Sequence, residues 1–187
     1  MYLTNQTDLK DLADVSAEAD RLDRSLLDSM LHHVTPNLHL VASPATFDKV
    51  VRLQPEQVQK LIEIISRHYN HVVLDMGTSL DQINLSALDK MSEITLVGST
   101  NLSSIRHITQ ILKLLKTLDY ADNIISVVVN QFSNRGPITQ SELEKAIGKP
   151  IRHLLPAEHE GVQNSLLKGK TVMELLPDSK FAQTITA

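Results

Sequence analysis

Hydrophobic positions after residue 35 fall into two alternating kinds of run. Short β-rich blocks are LHLVA (38–42), HVVLD (71–75), EITLVG (93–98), IISVVV (124–129) and IRHLL (151–155), each bounded by turn or polar residues. Most lack period-2 alternation, the pattern of parallel strands buried on both faces. Helical periods lie between them. Pro55 stands in the first turn of PEQVQKLIEIISRHY, where Val58, Leu61, Ile62 and Ile65 recur at helical spacing. Leu102, Ile105, Ile108, Leu112 and Leu115 do the same within residues 101–118. Thr139 and Glu142 match a capping box, and Gly148 is placed to end that helix. Residues 25–33 also read as helix, whereas the first twenty residues are acidic and weakly periodic.

Strand–helix alternation through short links predicts βαβ units. The expected fold is therefore α/β, a parallel doubly wound sheet with helices on both faces. With no long linker, repeat or low-complexity tract, one domain over residues 1–187 is expected. Composition narrows the function. Apolar residues make up 42%, an ordinary globular share, and the net charge of −4 offers no general attraction for nucleic acid or anionic lipid. The absence of cysteine removes disulfides, thiolate zinc sites and Cys nucleophiles. No apolar run approaches the roughly 20 residues that span a bilayer. The first residues show no basic stretch followed by an apolar block, so no secretory signal is read there. A soluble cytoplasmic domain with a Leu, Ile and Val core is the expectation.

Ligands of open parallel sheets bind beyond the carboxyl ends of the strands. That confines the search to residues 43–48, 75–81, 99–101, 130–136 and 156–161. Asp75 follows Val72-Val73-Leu74, and Gly77 lets the backbone turn closely after it. A carboxylate there can hold Mg²⁺, directly or through water, beside a triphosphate; it can equally end a strand or cap the next helix. Asn130 ends IISVVV, where an amide can pair with a base edge or only form a turn. Glu158, after Leu155-Pro156-Ala157, can face a ligand or cap a helix.

Gly169-Lys170-Thr171 has the end of the G-x-x-x-x-G-K-[ST] phosphate-loop pattern, but Asn164 holds the first glycine position and VQNSLLK reads as helix. Gly169 is better explained as a helix stop. Gly148-Lys149 runs into Pro150 and fails as well. The eight histidines show no metal-ligand spacing, and the adjacent His32 and His33 point in different directions on a helix, so all are read as surface or capping residues. No G-x-S-x-G elbow is present.

From about Leu12 onward the chain resembles the deviant-Walker ATPases of the MinD/ParA superfamily, most closely the CpaE/TadZ-type proteins of Tad (Flp) pilus assembly. The resemblance is carried by RLDRSLLDSML, LHLVASP, HYNHVVLDMGTSLDQINLSALDKMSEITLVGSTNLSSIRHITQILKLL, VVVNQF and LLPAEHEGVQNSLLKGKTVMEL, in that order. It implies a P-loop NTPase fold of the SIMIBI/MinD type, with HVVLD as the Walker B strand and Asp75 acting on Mg²⁺ through water. It further implies that Asn130 contacts adenine and that Pro156 and Glu158 flank the base, where relatives often carry Pro-x-Asp. Relatives commonly have Asp-x-Pro after Walker B; here Met76 and Gly77 follow Asp75. The relatives' Walker A loop, first helix and next strand precede the segment matching residues 1–11, so an N-terminally incomplete domain is expected.

The implied function is nucleotide binding in the positioning or assembly of a Tad/Flp-type pilus. ATP or ADP with Mg²⁺ serves the full-length relatives. Here, without the phosphate loop, weak or absent binding and no hydrolysis are expected. Implied partners are a second copy of the chain, in a homodimer, and pilus proteins such as a secretion ATPase or membrane platform. Nucleic acid is not among them, and recruitment to the inner membrane or cell pole is a further implication. The alternatives are a nucleotide-independent dimerising scaffold and a receiver-like phosphoacceptor domain with Asp75 as the acceptor. Against the receiver, Val41-Ala42-Ser43-Pro44 supplies no acidic pair, and Lys149-Pro150 precedes the last strand block.

Overall fold

Side-chain caps set where the chain turns helical. Asp11 Oδ1 accepts hydrogen bonds from the amides of Ala13 (3.0 Å) and Asp14 (3.1 Å), while Asp14 Oδ2 accepts one from the Asp11 amide (3.2 Å). This reciprocal pair starts helix α1 (Leu12–Ala17). The computed structural model describes residues 10–186, in two compact units that divide after Met91. The expectations placed on residues 1–9 lie outside the described residues.

In the first unit, α1 is followed by α2 (Arg24–Met30), β1 (His32–Thr35), β2 (Leu38–Leu40), α3 (Phe47–Arg52), α4 (Pro55–His68) and α5 (Gln82–Leu88). Pro55 occupies the first turn of α4, as its fixed φ and missing N–H favour. Val58, Leu61 and Ile62 form the buried stripe of that helix. Leu61 joins Val15, Leu27 and Leu31 in one apolar cluster, and Val58 and Ile62 join Leu53 and Ala87 in another.

Three sequence expectations change here. The helix read over 25–33 ends at Met30, and His32 and His33 belong to a strand. LHLVA is not a parallel strand. Residues 38–40 return antiparallel to β1 through a turn at Pro36-Asn37, and only Ala42 makes a parallel bridge, to Asp11. HVVLD forms no strand among the described residues. Its burial alternates, with Leu74 packed into the second cluster and Val73 89% exposed. A β-prone run becomes a strand only where a partner's amides and carbonyls meet it.

The second unit contains β3 (Ile94–Ser99), α6 (Leu102–Thr117), a 3₁₀ turn at Asp122–Ile124, β4 (Ile125–Phe132), α7 (Gln140–Ile147), β5 (His153–Pro156), α8 (His159–Lys168), α9 (Val172–Leu175) and α10 (Lys180–Thr186). Its three strands form one parallel sheet in the order β3-β4-β5. Val127 and Val129 of β4 meet Ile105 and Ile108 of α6 and Leu143 and Ile147 of α7 in a single core. The expected capping box starts α7, with Thr139 and Glu142 bonded reciprocally, and Gly148 ends it at φ 79°. The fold is α/β, a parallel sheet flanked by helices. Burial on both faces holds for β4 but not for β3, an edge strand whose Val97 is 63% exposed.

Lys49 on α3 reaches the cap of α1, its Nζ lying 2.8 Å from Asp11 Oδ2 and 2.9 Å from Asp14 Oδ2. Burial alone pushes the Asp11 carboxyl up. The Lys49 ammonium and the amide of Asp14 outweigh burial and hold it below the usual carboxylate range. Because the folded pKa lies below the unfolded value of about 3.9, this contribution is complete above about pH 4 and is lost as pH falls through the folded pKa. Asp11→Asn keeps a capping oxygen but loses the charge. It should lower the urea midpoint at pH 7, and the gap to the parent should close near pH 2.

Candidate functional site

The carboxyl ends of β3, β4 and β5 lie along one edge of the second unit's sheet. Ser99 ends β3 and stands in register with Asn130 of β4. Pro156 ends β5 and pairs with Phe132. Parallel strands feeding helices leave this edge open to a ligand, with backbone groups and strand-end side chains facing it. The structure thus brings Asn130 and Pro156 to one edge, with Glu158 two residues further along.

Asn130 sits where β4 departs from regular pairing. Val129 pairs with Leu154 and Phe132 with Pro156, so β4 carries one residue more than β5 across this step. The added residue is accommodated by Gln131 at φ 59°, a left-handed conformation seldom adopted by a side chain of this kind. Asn130 Oδ1 accepts a hydrogen bond from the Gln131 amide (2.8 Å). That bond fixes the carboxamide and leaves its Nδ2 donor and one lone pair of Oδ1 for a planar donor–acceptor edge.

Glu158 is the N-cap of α8, its Oε1 accepting from the Gly161 amide at 3.3 Å. Of the two roles open to it in the sequence, capping is the one the geometry displays. Gly161 is tight, since a Cβ there would lie 2.8 Å from that same Glu158 oxygen. On the other side of Asn130, β3 and α6 are tied by a bond from the Ser99 amide to Ser104 Oγ (2.9 Å), and Asn101 caps α6 by accepting from the Ser104 amide (2.8 Å). Gly98 permits this approach, because a Cβ would lie 2.6 Å from Ser104 Oγ and against Ile108.

Asp75 and Gly77 belong to the first unit. Asp75 is exposed at the end of the alternating 71–75 segment, so its oxygens are free of core packing and suit a hard cation such as Mg²⁺. Gly77 has neither a positive φ nor a neighbour that a Cβ would strike, so no close turn demands glycine there. The other lysine-bearing glycine pairs are structural. Gly169, at φ 61°, ends α8, and Thr171 caps α9 in a box with Glu174, so no strand leads into Gly169-Lys170-Thr171. Lys149 pairs with Asp122 at 2.7 Å, at the amino end of β4 and away from Asn130. A receiver-like site needs its lysine at the carboxyl ends. The sequence did not predict Gln131, Ser104 or Gly98; the Gly98-Ser99 step into a helix was the available signal for the last two.

Comparison with known proteins follows the same line. The crystal structure of a ParA family ATPase from Chlorobium tepidum TLS is 39% identical, with a TM-score of 0.94 over 98% of this chain and 77% of that one. The septum site-determining protein MinD of Pyrococcus horikoshii OT3, solved with Mg-ADP, shares the fold at 19% identity and a TM-score of 0.77, over 98% of this chain and 73% of that one. An uncharacterised ATP-binding protein of Methanocaldococcus jannaschii is 22% identical over 147 residues, 78% of this chain and 54% of that protein. The chain therefore spans about half the length of this curated relative. No family model matches the chain. No helix among the described residues is long and apolar enough to cross a membrane.

Gly98→Ala should force Ser104 and Ile108 apart and lower stability by about 1–3 kcal/mol. Urea unfolding checks this, and Ser104→Ala in the same background should recover part of the loss.

Proposed function

Since this chain belongs to the ParA family of ATPases, we propose that it holds an adenine nucleotide, with Asn130 reading the base, Pro156 and the Glu158 turn flanking it, and Asp75 acting on Mg²⁺ through water. The observation that carries the reading is the bulge at Gln131, which holds the Asn130 carboxamide at the carboxyl edge of the sheet. The MinD relative with Mg-ADP and the ATP-binding relative from Methanocaldococcus jannaschii support nucleotide and metal as ligands. The residues fit both. A carboxamide with one fixed oxygen offers a donor and an acceptor to a base edge, and an exposed carboxylate offers hard oxygen to Mg²⁺. Asp75 would hold Mg²⁺ through water, and the ion when bound would supply neutralisation of the phosphate charge.

In this proposal residues 1–187 act as a single nucleotide-binding domain, and its process is the positioning or assembly of a Tad/Flp-type pilus, by resemblance to CpaE/TadZ proteins. Its partners are a second copy of itself and pilus proteins, in the cytoplasm or at the inner membrane or pole. The 187 residues contain no G-x-x-x-x-G-K-[ST] string, so amides and a lysine for the β- and γ-phosphates are not supplied by that motif. The chain alone should show no measurable ATP hydrolysis. Calorimetry with Mg-ATP should give weak binding that Asn130→Ala lowers about fivefold to tenfold and Asp75→Ala lowers only when Mg²⁺ is present. Binding indifferent to Asn130→Ala would remove the base-reading assignment.

The strand β3 favours a second reading, a scaffold that works by self-association, because its outer edge is unpaired among the described residues and its Val97 is exposed, a surface for strand addition. Light scattering should then show dimers without nucleotide, and Val97→Lys should shift them to monomers. Dimers that require Mg-ATP support the nucleotide-binding reading instead.

A further inference from the structure

The β1–β2 hairpin carries a cluster that the nucleotide reading leaves unused. His33 pairs directly across from His39, and the two rings stack with centroids 4.1 Å apart. Asp28, near the end of α2, closes on the same point. His33 Nε2 lies 3.3 Å from Asp28 Oδ1 and 3.1 Å from the Asp28 carbonyl oxygen. Asp28, His33 and His39 each offer one ligand atom, and the three atoms lie within 4.8 Å of one another. A fourth residue sets the orientation of one imidazole. The Tyr69 hydroxyl hydrogen-bonds His39 Nδ1, and its ring meets the His39 ring edge-on at 5.3 Å.

We propose that Asp28, His33 and His39 form a binding site for a divalent transition-metal ion, with Zn²⁺ as the best-fitting ion. Two imidazole nitrogens and one carboxylate oxygen are a borderline-soft donor set that suits Zn²⁺, whereas Mg²⁺ prefers six oxygens in an octahedron. Tetrahedral zinc with bonds near 2.0–2.1 Å holds its ligand atoms roughly 3.3 Å apart, a separation already present between His33 Nε2 and Asp28 Oδ1. His39 completes the set by turning out of the ring stack. In the tautomer with Nδ1–H donating to the Tyr69 oxygen, its Nε2 carries the lone pair a metal needs, so Tyr69 is a positioning residue. The fourth position falls to water. A cavity of about 90 Å³ beside the cluster is lined by Arg24, Leu27, Asp28, His39, His68 and Tyr69. Its Arg24 guanidinium opposes a bound cation, so the site should be weaker than a structural zinc site.

The three ligand positions are spread over residues 28–39, so the site is local and independent of the nucleotide proposal. Isothermal titration of the untagged 187-residue chain with Zn²⁺ tests it. We expect one ion per chain, bound at least about tenfold more weakly after His33→Gln or His39→Gln and about tenfold more weakly after Tyr69→Phe. Co²⁺ should give a visible absorption band that both histidine variants lose, and Mg²⁺ should not compete. If a histidine variant loses its far-ultraviolet circular dichroism, Asp28→Asn, on the exposed face of α2, decides in its place by the same tenfold criterion. Absent Zn²⁺ binding, or Zn²⁺ affinity unchanged in the folded variants, overturns the proposal.

Discussion

The candidate nucleotide edge depends on β4 being held from every side. It is hydrogen-bonded to β3 over six residue pairs and to β5 along its other edge. Val127 and Val129, 0% and 1% exposed, seal it against α6 and α7. A central strand of this kind has no freedom to slide, because a one-residue slip would turn its valines out of the core. Asn130 inherits that rigidity. A carboxamide that discriminates one base edge from another needs its donor and acceptor fixed, and a strand locked by pairing and packing supplies this more reliably than a loop.

Capping chemistry does comparable work at the helix starts. Thr139 with Glu142, and Thr171 with Glu174, satisfy amides that the first turns of α7 and α9 leave open. The carboxylates of Glu142 and Glu174 are held below their usual range by the backbone amides of Thr139 and Thr171 and then by those hydroxyls. Glu158 belongs to the same class of contact. A side chain that caps α8 also fixes the turn after Pro156, so one group serves both the helix and the edge where a base is proposed to sit.

Much of this was legible in the sequence where local signals and tertiary contacts agree. The periods of α4 and α6, the box at Thr139, and the stops at Gly148 and Gly169 all survive, because each is decided within a few residues. β3, β4 and β5 were readable from their apolar runs. What failed needed a partner that composition does not name. HVVLD has strand propensity but no paired neighbour among the described residues, and LHLVA turned antiparallel because Thr35-Pro36-Asn37-Leu38 makes a tight turn. His33 and His39 read as surface or capping residues for the same reason, since only the hairpin register sets them face to face.

The extra residue in β4 also acts as a frameshift in the pleat. Odd-numbered Val127 and Val129 point into the α6–α7 core, and strict alternation would send even-numbered Phe132 to the opposite side. Phe132 nevertheless packs on that same core, along with Ile138 from the following loop. Asn130 alternates away from the valine core as a regular strand residue, and the position absorbed at Gln131 brings the phenyl ring back to that core. The aromatic ring then anchors the outgoing chain just beyond the proposed recognition group.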